Sequence, residues 1–554
     1  MVIEPGRRSD GADIAAWYRN DDMRPPDLES LLRDGAPRTA GAVGAIDAMA
    51  SRAFGRASGA VHSEGNTVRL LLDARENFPA WLDAIRRAER LILFECYIVD
   101  DDEVGREFVR ALRERARDGV RVYVLYDWLG SLRSDDLWPS LRDAGVEVAA
   151  FNPFELSSPL GWIARDHRKM IAVDGRIGFV SGLCVSAKWL GNPARRLEPW
   201  RDTGVEIRGP AVADLEAAFN DAWIASGQAP LPAEARTPVE RIARAGDTRV
   251  RVIAGEPNAA GTFRLDLLIA GVASERLWLT DAYFVGTAPY VEALRSAARD
   301  GVDVRLLVPG ASDIPAVSVL SRAGYRPLLE AGVRVFEWNG TMLHAKSAVA
   351  DTHWSRVGST NLNLASFIGN WELDVAIEDP AFATAMAAQF EADLGCATEI
   401  VLTARNRVRR AEVHATSTEH ARRAPSGSAG RAAAGAVSVG SALGAALTNR
   451  RALGAAESGL LVKMAFAALV TAAVGVLWPA VVAWPAAALA AWIGLTWLGK
   501  AWKLRHGHEG PEGATLADVV ADDSAGRPPV ARHPTRSEAR QALDEGGEKP
   551  GQSL

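Results

Sequence analysis

The chain has 554 residues, 48% hydrophobic and 24% charged, which is enough to bury more than one core, so two domains with additional segments are expected. Its net charge of −6 argues against a protein that mainly coats nucleic acid, since such proteins are usually basic. It has three cysteines and no Cys-x-x-Cys pair, so neither a disulfide framework nor a zinc knuckle is expected.

The first half begins with a polar extension and continues with two predicted strands. Residues 1–65 are polar with weak periodicity, and their start lacks the apolar core of a signal peptide. Residues 91–99, LILFECYIV, are dense in apolar and aromatic side chains and predict a buried strand. A helical stretch follows, and residues 120–127, VRVYVLYD, predict a second strand.

The second half repeats this order of elements. Residues 276–285, RLWLTDAYFV, predict a strand, which is followed by a helical stretch and by the strand VDVRLLVPG at 302–310. The junctions share letters, because ARDGV occurs at 116–120 and again at 298–302. Alternating strands and helices predict α/β layering with mixed or parallel sheets.

The repeat divides the chain into two predicted domains of one architecture. They occupy residues 66–230 and 245–400, and a link at about 227–248 separates them. Each domain is expected to contribute one sheet, with the two domains packed against each other.

The composition changes after residue 400. Residues 401–460 form a basic linker that is either simply mobile or leans on anionic lipid headgroups, at about 1 kcal/mol per arginine. Residues 464–499 form an uncharged run of 36, longer than the about 20 residues of one crossing. A membrane hairpin, a single tilted span and a buried helix pair therefore stay open as interpretations. The polar tail at 506–554 is expected to be disordered.

Positive charge on both sides of the apolar run favours a hairpin with both ends in the cytoplasm. We therefore expect a location at the cell membrane, with the two catalytic domains on the cytoplasmic side.

Each half contains one His-x-Lys-x4-Asp motif after its two predicted strands. The first copy comprises His167, Lys169 and Asp174, and the second comprises His344, Lys346 and Asp351. Each residue of the second copy lies 177 positions after its counterpart. A single His-x-Lys pair would be weak evidence, whereas two full copies inside a repeat strongly indicate a functional site.

This combination of side chains suits displacement at a phosphodiester. Alternate residues of a strand face one side, so His and Lys at a spacing of two project together. Lysines neutralise the charge that spreads over the non-bridging oxygens in the transition state. One neutral imidazole can attack phosphorus to form a phosphohistidine, while a second one donates and later accepts a proton. Two copies are therefore expected to build one site, with no metal and no other cofactor.

The pattern resembles the phospholipase D superfamily and, within it, the bacterial cardiolipin synthases, over roughly residues 66–400. Besides the motifs, the segments ECYIVDDDEVGREFVRAL, DTHWSRVGSTNLN and NWELDVAI carry the resemblance. It implies two repeated phospholipase D-type α/β domains with mixed sheets, to which the composition adds an apolar helical segment at the C-terminus. It implies His167 as the nucleophile and His344 as the general acid and base, although the residues alone leave that order open.

The resemblance also implies roles for residues around the two histidines. The predicted phosphate-binding set is Lys169, Lys346, Asn361 and Ser359. The predicted orienting carboxylates are Asp202 and Glu372. The motif aspartates, Asp174 and Asp351, belong to the predicted catalytic set, with a role in fixing the loop after each strand as the favoured alternative.

The two halves differ at one predicted phosphate contact. Cys184 stands where the second half has Asn361, and Ser181 replaces a glycine. Cysteine is a poor substitute for an amide donor, so the first half is expected to hold phosphate less well unless Ser181 or backbone N–H groups compensate. The alternative interpretation, equally open, is that Cys184 is a small buried residue with no role in binding phosphate. Tyr97 and Tyr283 end matching strands, and either line the substrate groove or are buried strand aromatics.

The favoured function is phosphatidyl transfer, in which phosphatidylglycerol donates to a second phospholipid and yields cardiolipin and glycerol, as the resemblance implies. Lipid hydrolysis, with water as the acceptor, is the near alternative. A nuclease fits the apolar run and the acidic balance less well, so no nucleic-acid partner is expected. A lipid-binding protein with a decayed site is a further alternative. The expected partners are phospholipid substrates and the membrane.

Overall fold

Both halves build apolar strands with helices between them. The computed structural model describes residues 40–154, 164–192, 198–402 and 408–410, and isolated positions between 466 and 502. The helix Glu103–Arg117 shows why these elements form: its buried side chains, such as Phe108 and Leu112, recur at helical spacing. Asp102 caps its N-terminus by accepting from two backbone N–H groups.

The first half contains helix α1 (Ala40–Ser58), strand β1 (His62–Leu72), α2 (Asp73–Arg86), β2 (Leu91–Cys96), α3 (Glu103–Arg117), β3 (Arg121–Asp127), α4 (Trp138–Arg142), β4 (Glu147–Phe151), β5 (Lys169–Val173), β6 (Ile177–Ser181), α5 (Ala187–Leu190), β7 (Thr203–Arg208) and α6 (Ala211–Ala225). Two short 3-10 helices in the link are Ala233–Ala235 and Val239–Arg241.

The second half contains β8 (Thr248–Gly255), α7 (Gly261–Val272), β9 (Arg276–Thr280), α8 (Ala288–Arg299), β10 (Asp303–Pro309), α9 (Pro315–Ala323), α10 (Tyr325–Glu330), β11 (Arg334–Trp338), β12 (Ser347–Ala350), β13 (Trp354–Gly358), α11 (Leu364–Ile368), β14 (Glu372–Glu378), α12 (Pro380–Gly395), β15 (Ala397–Leu402) and β16 (Val408–Arg410).

The described strands form one mixed sheet whose halves mirror each other. Its order is β4-β3-β2-β5-β6-β7-β1-β8-β14-β13-β12-β9-β10-β11-β15-β16. Counted outward from the antiparallel β1–β8 pair, each strand of the first half has the same position in the order as its repeat counterpart in the second half, and β15 and β16 follow as additional strands. The triplets β2–β3–β4 and β9–β10–β11 are parallel, and β5 to β7 and β12 to β14 run antiparallel to their neighbours. The predicted α/β fold with mixed strand directions is confirmed, and the sheets expected from the two domains are joined into one through the pairing of β1 with β8.

A shared hydrophobic core joins the two halves. It contains Met170 and Ala172 of β5 together with Val349 of β12, and these strands immediately follow the two His-x-Lys motifs. Fully burying a large apolar side chain contributes about 1.5–3 kcal/mol, so a core drawn from both repeats resists their separation. The motifs of the two halves are therefore held in one fixed relation.

Part of the predicted polar extension is structured. Residues 40–58 form α1, whose Phe54 packs against a second-half core, and β1 begins at His62 rather than near residue 66. The weak periodicity of this stretch hides the helix, because Phe54 is one of few large apolar side chains in it.

The chain divides into two compact units, residues 1–477 and 478–554, and both repeats lie in the first. Described positions of the second unit are helical and include exposed apolar side chains such as Trp484 and Leu495. Across the part of the chain that the structure describes, no helix is both long and apolar enough to cross a membrane. The start of the polar extension, the linker from residue 411, most of 464–499 and the tail lie outside the described residues.

Candidate active site

Both His-x-Lys motifs lie at the same kind of sheet edge. Strand β5 runs antiparallel to β2, so Lys169 at its start pairs with Cys96 at the end of β2. In the second half, Ser347 at the start of β12 pairs with Thr280 at the end of β9. Each histidine therefore precedes its strand, at the edge where the parallel triplet of that half ends.

Two short backbone bridges join this edge of one half to that of the other. Asp166 pairs with Trp371, and the His167 N–H donates to the Trp371 carbonyl at 2.8 Å. Arg201 pairs with Leu343, and the His344 N–H donates to the Arg201 carbonyl at 2.7 Å. Each histidine is thus placed beside the segment of the other half that carries a predicted orienting carboxylate.

The carboxylates are exchanged between the halves. His167 Nδ1 lies 2.9 Å from Glu372 Oε2, and His344 Nδ1 lies 2.8 Å from Asp202 Oδ2. Burial alone would raise the pKa of Glu372 and Asp202, but the interactions with the paired histidine and a nearby lysine hold each pKa below its usual value. Both carboxyls are therefore ionised near pH 7, which places a proton on each Nδ1 and turns each Nε2 away from its carboxylate.

The environment keeps both imidazoles neutral in the ligand-free site. Burial lowers the pKa of His167 to about 4, and the Glu372 carboxylate, which acts in the opposite direction, does not offset it. Burial and then the positive charge of Lys346 lower the pKa of His344 to about 4. A neutral Nε2 has the lone pair that a nucleophile needs.

The two motif lysines lie within the same site. The ammonium groups of Lys169 and Lys346 donate to the carbonyls of His167 and His344 respectively. The Lys346 Nζ also lies 2.9 Å from His344 Nδ1, and burial lowers the pKa of this lysine to about 8. Two cations beside two histidines supply the positive charge that binding a phosphodiester anion would require.

Tyr97 and Tyr283 pack against the two histidines in matching ways. Their rings stand edge to face with His167 and His344 at centroid distances of 4.9 and 5.7 Å. They also lie 5.0 and 5.8 Å from the Nζ atoms of the two motif lysines. These contacts place both rings beside the histidines, although Tyr97 is also a buried member of a hydrophobic core cluster and Tyr283 packs against that cluster.

The motif aspartates lie apart from the other predicted site residues. Asp174 follows the last residue of β5, about 16 Å along the strand from Lys169, and Asp351 occupies the same place after β12. Asp174 accepts from the backbone N–H groups of Glu89, Arg90 and Leu91 at 2.8 Å each.

Asp351 accepts from the N–H groups of Ser274, Glu275 and Arg276 in the same manner. Their inclusion in the predicted catalytic set is thus corrected: each aspartate, at a φ of 58° or 49°, fixes the turn before the neighbouring strand.

Removing this turn acceptor is expected to lower stability and leave the chemistry intact. Asp174→Ala leaves three backbone N–H groups without their acceptor, which costs about 1–3 kcal/mol of unfolding free energy, while Asp174→Asn keeps an acceptor and costs less. Denaturant unfolding measures this, and kcat per folded molecule stays near the wild-type value. A kcat loss as large as that of a histidine variant would return Asp174 to the chemistry.

Ser359 and Asn361, which were predicted to bind phosphate, differ in whether the side chain is already hydrogen-bonded within the protein. Ser359 is engaged by the carboxylate rather than left for phosphate, because its hydroxyl donates to Glu372 Oε2 at 2.6 Å. Asn361 is 4% exposed, and its Oδ1 has no hydrogen-bond partner in the described part of the chain. Cys184 is 1% exposed; burial raises the pKa of its thiol, but a hydrogen bond from Cys96 and the charge of Lys169 outweigh this and lower it.

Two tryptophans at the site were not anticipated from the sequence. The rings of Trp189 and Trp200 lie 5.2 and 5.7 Å from the ring of His344. Trp200 directly precedes Arg201 and Asp202, so its place beside a predicted carboxylate was a usable signal. At the offset of 177 positions Trp189 corresponds to Ser366, which has no aromatic ring, so comparing the repeats does not mark Trp189 as a site residue.

Comparison with known proteins agrees with this architecture. Residues 269–394 match the family described as "Cardiolipin synthase, PLD-like domain". Cardiolipin synthase A of Pseudomonas fluorescens is 36% identical over 345 residues, covering 60% of this chain and 70% of that protein. Cardiolipin synthase of Alkalihalophilus pseudofirmus is 33% identical over 343 residues, covering 61% and 68%.

Among solved structures, phosphatidylserine synthase of Haemophilus influenzae superposes with a TM-score of 0.51 at 15% identity, covering 63% of this chain and 91% of that one. At this identity the likeness establishes the shared fold.

Proposed function

The chain belongs to the phospholipase D superfamily as a cardiolipin synthase-like phosphatidyltransferase, and from this premise we propose that it forms cardiolipin from phosphatidylglycerol and a second phospholipid. The observation that carries the proposal is the exchanged pairing of His167 with Glu372 and of His344 with Asp202. It supplies two oriented imidazoles in one site, and a two-step transfer needs two.

In the first step, His167 Nε2 attacks phosphorus of phosphatidylglycerol. The P–N bond forms, the P–O bond to the headgroup glycerol breaks, and His344 gives its proton to the departing oxygen. The charges of Lys169 and Lys346 stabilise the oxygens that carry the developing negative charge. The products are glycerol and a phosphatidyl-histidine.

In the second step, the hydroxyl of another phospholipid attacks the same phosphorus. Its proton passes to His344, the P–N bond to His167 breaks, and cardiolipin leaves while both imidazoles return to their starting states. Water in place of the hydroxyl would yield phosphatidic acid, so the acceptor decides between synthesis and hydrolysis.

This scheme requires His344 to be protonated when the substrate is bound, although its pKa is about 4 in the free site. A phosphodiester anion offsets the lysine charges, which raises that pKa. We therefore expect binding of phosphatidylglycerol at pH 7 to take up about one proton. Calorimetry in buffers of different ionisation enthalpy measures the uptake, with His344→Ala as the control that takes up none. Equal uptake by both proteins would contradict the assignment.

The test of the function is a product analysis. Purified protein is incubated with phosphatidylglycerol in mixed micelles, and the lipids are separated and quantified. Cardiolipin and free glycerol in equal amounts support the proposal. Phosphatidic acid without cardiolipin would make the protein a hydrolase, and no lipid product beside cleaved DNA would make it a nuclease.

We further propose that the apolar run 464–499 holds the enzyme at a membrane, which its length and lack of charge support. Deleting it should move the protein from the membrane to the soluble fraction, whereas deleting the polar tail 506–554 should not. A protein that stays in the membrane fraction without the run would refute this anchor.

A further inference from the structure

The two orienting carboxylates receive a second hydrogen bond from different sources. In the pair of His167 with Glu372, Oε2 accepts from the Ser359 hydroxyl at 2.6 Å and also faces His167 Nδ1 at 2.9 Å. One oxygen is thus held between an imidazole and a fixed donor. This arrangement restricts the carboxylate to one rotamer and favours its ionised form.

The first half has no donor at the matching position. The residue 177 positions before Ser359 is Gly182. A Cβ atom at Gly182 would lie 2.2 Å from Asp202 Oδ1, so the carboxylate occupies the space that a serine side chain would need. A serine at position 182 therefore cannot give Asp202 the hydrogen bond that Ser359 gives to Glu372.

Trp189 supplies the missing hydrogen bond. Its Nε1–H donates to Asp202 Oδ2 at 2.9 Å, and the same oxygen faces His344 Nδ1 at 2.8 Å. The indole is 1% exposed, and its ring stands edge to face with that of His344 at 5.2 Å. An indole N–H is a donor only, so it cannot reverse this polarity and compete for the imidazole proton.

The short helix that carries Trp189 is itself fixed to the first half. Ser186 caps the helix by accepting from the Lys188 N–H, and its hydroxyl donates to Asp100 Oδ2 at 2.7 Å. The Ala187 N–H donates to Asp102 Oδ2 at 2.7 Å. These bonds hold the indole at the distance that the carboxylate requires.

We propose that Trp189 is a positioning residue for the His344 general acid and base, acting through Asp202 in the role that Ser359 has for His167. The proposal rests on the proposed phosphatidyl transfer and adds to it a residue whose counterpart in the second half, Ser366, carries no indole donor. Burial alone would raise the pKa of Asp202, but hydrogen bonds and nearby charges hold it below its usual value, and the hydrogen bond from Trp189 is one of them.

The test replaces the donor and keeps an aromatic ring. Trp189→Phe is expected to lower kcat by about 10- to 100-fold, the usual effect of losing such a support, with KM for phosphatidylglycerol nearly unchanged. Trp200→Phe is the matched control, because it removes an indole that packs on His344 and leaves the Trp189 donor in place. Its kcat loss should be clearly smaller.

A double-mutant cycle identifies the route of the effect. If Trp189 acts through Asp202, Trp189→Phe should have little further effect in an Asp202→Asn background. Equal losses in both backgrounds would overturn the proposal, as would equal kcat losses from Trp189→Phe and Trp200→Phe. If Trp189→Phe fails to fold, β-(3-benzothienyl)alanine at 189 removes the N–H from a ring of the same shape.

A substrate-free readout separates this proposal from the proposed function. In 15N NMR of histidine-labelled protein, His344 should carry its proton on Nδ1 in the wild type and populate both tautomers in Trp189→Phe. An unchanged tautomer in the variant would overturn the positioning role even if lipid transfer is found. The tautomer change without any lipid transfer by the wild type would keep the positioning role and refute the function.

Discussion

His167→Ala is expected to lower the rate of lipid transfer by about 10⁴-fold or more, because it removes the atom that forms the covalent intermediate. The fold should survive, since the site lies at a sheet edge and the shared core is formed by apolar side chains such as Met170 and Val349. Transfer is measured as the initial rate of glycerol release from phosphatidylglycerol.

The control for that loss is His353→Ala. His353 is exposed in the turn that joins β12 to β13, at the opposite end of β12 from His344. Its variant should transfer lipid at the wild-type rate. A His167→Ala variant that keeps more than about a tenth of that rate would be incompatible with a histidine nucleophile at this position.

The exchanged carboxylates predict the second large effect. Glu372→Gln keeps the shape of the side chain but removes the charge that fixes the proton on His167 Nδ1, so kcat should fall by about 10²- to 10⁴-fold. Asp202→Asn should do the same through His344. Each carboxylate belongs to the half opposite its histidine. The contacts that these substitutions remove therefore exist only while the two halves are packed together.

Glu378→Gln provides the matched control for Glu372→Gln. Glu378 is the last residue of the same strand, β14, and pairs with Arg251 at 3.7 Å, away from the histidines. It should retain wild-type kcat. If Glu372→Gln also does so, the contact at 2.9 Å between Glu372 and His167 has no catalytic role.

The repeat and the register of its motifs were sufficient to predict the fold class and the convergence of both motifs. The constant offset between the two sets of motif residues indicates that both sets occupy equivalent positions in two copies of one fold. The strands were predictable for a similar reason, since segments such as 91–99 are too apolar to be exposed.

The exchange of carboxylates was not predictable in the same way. Comparing the repeats identifies Asp202 and Glu372 as counterparts but does not tell which histidine each contacts. That choice depends on two backbone bridges, at Trp371 and Leu343, that form when the halves pack. Trp189 escaped prediction because its counterpart in the second half, Ser366, is a different type of residue, so comparing the repeats does not mark it.

The distribution of the other polar residues follows from local geometry. Ser359 was predicted as a phosphate ligand, but its hydroxyl lies within reach of Glu372 because β13 and β14 are paired. Asp174 and Asp351 are the third defining residue of each motif, yet a strand of four or five residues separates them from the two histidines. A shared motif therefore places a residue in the architecture without assigning it to the site.

The proposed transfer requires one composite site that forms a covalent phosphatidyl-histidine at His167, with the orienting carboxylate Glu372 supplied by the other half. Incubating His344→Ala with phosphatidylglycerol, quenching in base to preserve phosphohistidine, and mapping peptides by mass spectrometry tests it most directly. His344 serves both steps, so its loss slows formation of the adduct as well as transfer to the acceptor. Because no group then activates the acceptor, the phosphatidyl group should accumulate on His167 over a long incubation, and the added Glu372→Gln change should lower the yield of the adduct. An adduct on another residue, or an adduct yield that the loss of Glu372 leaves unchanged, would be incompatible with a His167 nucleophile oriented by Glu372.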